Sequence, residues 1–117
     1  MSYEEFTRWL LEKGVCEKVA RVEEGSECSL AYCRRSQGPD LLIAYAEAPP
    51  WVYCKVVPEP LVKPYMWHCN DIFFNPYGLY AFSHSDEALA EKLQAKQRLL
   101  NAQYRMATKK LGTAVEG

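Results

Sequence analysis

"WHCNDIFFNPYGLYAFSHS", Trp67–Ser85, decides how the second half of this 117-residue chain folds. It holds both histidines, one of the five cysteines and six aromatic residues. Asn75-Pro76-Tyr77-Gly78 suits a tight turn, with proline at its second position and glycine at its last. The flanks, Asp71–Phe74 and Leu79–Phe82, are rich in β-formers, so the stretch predicts a hairpin. Ser85 then reads as a helix cap, and Asp86 and Glu87 place negative charge at the positive end of the helix dipole.

That helix is expected to run to Leu111 and stop at Gly112, with residues 113–117 as a frayed tail. Leu89, Leu93, Leu100, Tyr104, Ala107 and Leu111 share one apolar stripe. Ala88, Ala95, Leu99, Ala102 and Met106 form a second one beside it. At 1.5 Å per residue such a helix is roughly 39 Å long, against a diameter of about 35 Å for a domain of this size. Two stripes exceed what one sheet face needs. The surplus predicts self-association as a homodimer, through Leu99, Leu100 and Met106.

Working back toward the N-terminus, "SYEEFTRWLLEKG" opens on a capping box, Ser2 with Glu5, and closes on Gly14. It predicts a helix over residues 3–13, with Phe6, Trp9 and Leu10 on one face. Val19–Glu23 reads as a strand turning at Gly25-Ser26. The next run alternates, with Cys28, Leu30 and Tyr32 on one face and Ser29, Ala31 and Cys33 on the other. "LLIAYAE" and "WVYCKVV" are two further strands, and Val52, Cys54 and Val56 point inward in the second. The prolines of "PEPLVKPY" exclude a helix interior or a central strand, leaving an extended crossing segment.

The order helix, strands, helix specifies an α+β fold. We expect an antiparallel sheet of about four to six short strands, with an N-terminal helix and a long C-terminal helix packed on it. Residues 1–117 read as a single domain. The apolar share of 49% supports a core. No apolar run is long enough to span a bilayer. The odd cysteine count, and an N-terminus without the pattern of a secretory signal, predict free thiols and a soluble cytoplasmic protein.

Chemistry is harder to find. Cys28 and Cys33 fall on opposite faces of one strand, Cys54 is flanked by apolar residues, and adjacent His68-Cys69 suits one tetrahedral ion poorly. We therefore assign no metal. A cysteine nucleophile could draw on Cys69 or Cys54, with His84 or His68 and Asp71, but no oxyanion hole accompanies them. The six glycines match no phosphate-binding spacing, so no cofactor is assigned.

With 14 basic and 15 acidic residues the chain lacks the basic excess of a dedicated nucleic-acid binder. Charge is nevertheless uneven. The first thirty residues carry seven Glu against four basic residues. Beyond Glu91 the helix has Lys92, Lys96, Arg98, Arg105, Lys109 and Lys110.

The reading that remains is a non-enzymatic protein that binds another protein as an adaptor, inhibitor or accessory factor. Arg, Trp and Tyr dominate such interfaces. The candidate partner-binding residues are Arg34 and Arg35 at a strand end, Trp51 beside a proline turn, and Tyr77 at an exposed turn tip. The alternatives are nucleic-acid association through the basic helix face, and a small cysteine- or metal-dependent enzyme.

Overall fold

The computed structural model describes residues 2–116, with side-chain surroundings for residues 3–109. It is an α+β fold built on a five-stranded antiparallel sheet in the order β1-β2-β3-β4-β5. The strands are β1 (Lys18–Glu24), β2 (Cys28–Arg34), β3 (Leu41–Ala48), β4 (Trp51–Pro58) and β5 (Leu79–Ser83). The helices are α1 (Ser2–Glu12), α2 (Cys69–Phe73), α3 (Asp86–Ala95) and α4 (Gln97–Glu116).

Helix α1 forms where the sequence predicts. Tyr3, Phe6 and Leu10 are buried at helical spacing, and Gly14 ends it at φ +76°. The Val15 amide reaches back to the Leu10 carbonyl at 2.9 Å, the six-to-one bond of a glycine-terminated helix. The Ser2 side chain of the expected capping box lies outside the described residues. Lys13, at 3.0 Å from Glu87 and 3.1 Å from Glu91, ties the end of α1 to α3.

The sheet is buried on both faces over much of its area. Ala31, Cys33, Leu41, Ile43, Cys54 and Val56 meet α1, α3 and Leu100 in the main core. Leu30, Leu42, Ala44 and Val57 meet Val62, Cys69 and Ile72 in a second core on the opposite face. The alternation of β2 is as expected, and both of its faces are used. Phe6, Leu10, Ile43 and Leu93 are completely buried, so truncating any of them to alanine costs about 2–5 kcal/mol.

The second core is supplied by the chain between β4 and β5, and here the predicted hairpin fails. Asp71–Phe74 is not a strand: Cys69–Phe73 is a short helix, with Ile72 N–H bonded to the His68 carbonyl at 3.0 Å. Its start is held by a residue far away in sequence. The Glu23 carboxylate accepts the Cys69 N–H at 2.9 Å and lies 3.2 Å from His68 Nδ1. These contacts hold the Glu23 carboxyl below its ordinary range, the backbone bond contributing most. Cys69 and Ile72, three residues apart, then face the sheet as one helical stripe.

The proline-rich crossing segment contains two 3-10 turns, Glu59–Leu61 and Pro64–Met66. Asn75–Gly78 does turn the chain, and the Asn75 side chain accepts the Tyr77 N–H at 2.8 Å. Gly78 is required there: it adopts φ +97°, and a Cβ would run into the Val56 carbonyl. The turn feeds β5 onto β4 and does not join two paired strands.

The C-terminal helix is also corrected. It is two helices broken at Lys96, whose φ −96° and ψ 7° leave the helical region. The apolar stripe runs across the break, from Leu93 to Leu100, so periodicity carries no sign of it. Ser85 caps α3 as expected, its hydroxyl accepting the Ala88 N–H at 3.1 Å. Asp86 is buried and accepts the Tyr45 hydroxyl proton at 2.7 Å, anchoring the first turn. Gly112 does not stop α4, which continues to Glu116. The side chains of Lys110 and Leu111 lie outside the described residues.

The expectation of free thiols is overturned. Cys16 pairs with Cys33, and Cys28 pairs with Cys69, at Cα separations of 5.3 and 6.0 Å, within the normal disulfide range. The opposite orientation of Cys28 and Cys33 sends one bridge to each face of β2. Cys54 alone is free, and it is buried. With four cysteines paired, the odd count no longer argues for a reducing compartment. Among the described residues no helix is long and apolar enough to cross a membrane.

Candidate functional site

Strand alternation assembles an aromatic face at the β4–β5 end of the sheet. Trp51, Tyr53 and Lys55 of β4 lie on the side opposite Val52, Cys54 and Val56, which enter the main core. The register sets Tyr53 beside Phe82 and Lys55 beside Tyr80. Because β5 puts Leu79, Ala81 and Ser83 toward the main core, Tyr80 and Phe82 fall on the same face as Trp51. Helix α2 covers the centre of that face but leaves this end open.

Several of the rings are in pairwise contact. Trp51 stacks on His84 with centroids 4.0 Å apart. Tyr53 lies 5.5 Å from Phe73 and 6.0 Å from Phe82. Lys55 is only 2% exposed; its ammonium donates to the Asn75 carbonyl at 2.6 Å and sits 4.3 Å from the Tyr80 ring centroid. The Tyr80 hydroxyl donates to the Phe73 carbonyl, and Lys92 donates to the Phe82 carbonyl. These bonds hold the rings in place while about half of each of Trp51, Tyr80 and Phe82 stays open to solvent. Trp51 is 45%, Tyr80 49%, Phe82 52% and Phe74 86% exposed. Open aromatic rings gathered at one end of a sheet face mark an interaction surface better than scattered apolar residues do.

The residues singled out from sequence do not form one site. Trp51 is exposed and belongs to the aromatic face. Tyr77 is not exposed at a tip: it is half-buried against the second core. It also lines an apolar groove of about 300 Å³ with Pro58, Leu61 and Met106, so a partner-binding and a self-association candidate meet there. Arg34 is exposed at the end of β2, whereas Arg35 is buried. Arg35 Nε donates to the Pro39 carbonyl and Nη2 to Asn101, both at 2.9 Å, which pins the loop after β2 onto α4. Leu99 and Met106 are 50% and 72% exposed, but Leu100 is fully buried in the protomer's own core and cannot serve a second copy.

Sequence reasoning misses Tyr80, Phe82 and Phe74 as binding residues and names His84 only as a partner for a cysteine nucleophile. Their signal was the period-two spacing of Tyr80, Phe82 and His84, which is legible only once Leu79 and Ala81 are known to face the core. The catalytic pairings do not assemble. Cys69 is in a disulfide, and burial pushes the Cys54 thiol far above its ordinary pKa. Among the described residues no group of three His, Cys, Asp or Glu side chains is placed to hold a metal ion.

The chain matches no family model, no curated protein and no solved structure.

Proposed function

We propose that the protein acts by binding another protein through the aromatic face of β4 and β5, as an adaptor, inhibitor or accessory factor and not as an enzyme. The observation that carries this reading is the exposure of Trp51, Tyr80 and Phe82 side by side on a rigid sheet. Rigid aromatic rings lose little entropy on binding and supply large contact area, which is why Trp and Tyr dominate interface energetics. The free edge of β5 lies beside them, since β5 ends the sheet. The two disulfides support work in an oxidising environment, in place of the cytoplasm that the cysteine count suggested.

The test is affinity capture from an extract of the source organism, using the native chain and a Trp51→Ala/Phe82→Ala variant in parallel. Both positions are half open, so the variant keeps its fold and thermal midpoint. Each anchor contributes about 2 kcal/mol or more if it sits at the interface centre, so the pair lowers affinity at least a hundredfold. A partner recovered by both proteins in equal amount sinks the assignment to this face.

A further inference from the structure

Behind the sheet, on the side of α4, a second surface has a different chemistry. Arg35 is 8% exposed, yet among the described residues its guanidinium forms no salt bridge. The acid whose charge acts on it, Asp40, is committed elsewhere: its two oxygens accept the Arg35 backbone N–H at 2.9 Å and the Tyr32 hydroxyl proton at 2.6 Å. Pro39 and Asn101 occupy Nε and Nη2, and Nη1 is buried without a hydrogen-bond partner among the described residues. A buried cation normally gains a counter-charge and a full set of acceptors, because desolvation is costly otherwise. Burial pushes the Arg35 pKa down and Asp40 pulls it back only in part, the same deficit seen from the proton's side.

Arg35 forms part of the wall of a cavity of about 290 Å³, together with Ser36, Gln37, Gln94 and Gln97. Gln37, Gln94 and Gln97 also wall the neighbouring hollow, which adds Arg98 and Asn101. Gln37 and Asn101 continue into a third hollow, which adds Arg105. The three hollows thus form one groove along the loop after β2 and the α3–α4 break. Three arginines and four side-chain amides line it, against a single acid, Glu17. Arg98 and Arg105 are exposed and two helical turns apart, about 10 Å along α4. Guanidinium forks and amide N–H groups are the donors that recognise oxyanions.

We propose that this groove binds a small ligand carrying more than one oxyanion group, phosphate or carboxylate, with Arg35 as its inner anchor and Arg98 and Arg105 as its outer ones. Filling it supplies the counter-charge that the fold leaves out. The loop after β2 is already fixed by Arg35, and Asn101 donates to the Gln37 carbonyl at 3.1 Å, so the groove is shaped before the ligand arrives.

The experiment is a nuclear magnetic resonance titration of the full chain with sodium tripolyphosphate and, separately, sodium citrate, each against sodium chloride of equal ionic strength. Saturable shifts concentrated at Arg35, Gln37, Gln94, Gln97 and Asn101 are expected with at least one probe, and the tighter probe names the anion class. An Arg98→Glu/Arg105→Glu variant, altered only at exposed positions, should weaken that binding tenfold or more. Lys63→Glu, an exposed charge change in the crossing segment between β4 and α2 and outside the groove wall, should leave it unchanged. Shifts that never saturate, that chloride reproduces, or that survive in the double-arginine variant overturn the proposal and leave Arg35 a purely structural clamp.

Discussion

Breaking the Cys28–Cys69 bridge should destabilise the fold about as much as truncating a large core residue, because it frees the second face of the sheet. The bridge joins residues 41 apart and fastens α2 to the start of β2, whereas Cys16–Cys33 joins residues 17 apart. Loop-closure entropy puts the first at about 3.9 kcal/mol and the second at about 3.1 kcal/mol at 25 °C. A domain of this size has roughly 5–15 kcal/mol in total, so either loss is a large fraction of it. With an unfolding entropy near 0.25 kcal/mol/K for such a chain, losing the longer bridge lowers the melting temperature by about 15 °C. In urea the midpoint should fall by about 2–3 M. The assay is equilibrium urea unfolding followed by tryptophan fluorescence, for the oxidised protein and for a Cys28→Ala/Cys69→Ala variant. Thiol labelling accompanies it. The oxidised native protein should label at no site until it unfolds, and then at Cys54 alone. Unchanged midpoints between the two proteins, or five labelled thiols after unfolding without reductant, refute the reasoning.

Two further outcomes follow from contacts outside the cores. Glu23→Gln should remove stability that depends on pH. The folded-state pKa of Glu23 is lowered, so its contribution is present above the ordinary value of 4.5 and is lost as the pH falls through the lower folded value. Urea midpoints from pH 7 to pH 3 should therefore fall less steeply in the variant than in the native protein, and parallel curves would deny Glu23 its capping role. The proposed dimer would have to use Leu99 and Met106, both exposed. Sedimentation should show a dimer that Leu99→Glu/Met106→Glu converts to monomer, and a native chain that stays monomeric at every concentration removes that interface.

What could be read from the sequence was what local physics decides. Phe6 and Leu10 on one helical face, the Gly14 stop, the alternation of Cys28 to Cys33 and the Ser85 cap each depend on neighbours within a few residues. The failures share the opposite cause. Cys69–Phe73 becomes a helix because Glu23 caps its first amide and Cys28 bonds its first side chain, partners 46 and 41 residues away. Ile72-Phe73-Phe74 by itself is equally a strand, and no period-two count separates the two. The break at Lys96 has neither proline nor glycine to announce it.

The candidate surfaces follow the same division. Trp51 was visible beside its proline turn, because a large ring next to a turn is a local observation. Arg35 was visible as a residue but not in its role, since its partners Pro39 and Asn101 come from a loop and a distant helix. Tyr77 and Tyr80 exchange the places that a hairpin would give them. Once α2 replaces a strand, Tyr77 turns in against the second core and Tyr80 turns out beside Phe82. One change of secondary structure, over five residues, therefore moves the exposed aromatics from a turn tip to a sheet face. That is why the substitutions that discriminate a binding role fall at Trp51 and Phe82 and not at Tyr77.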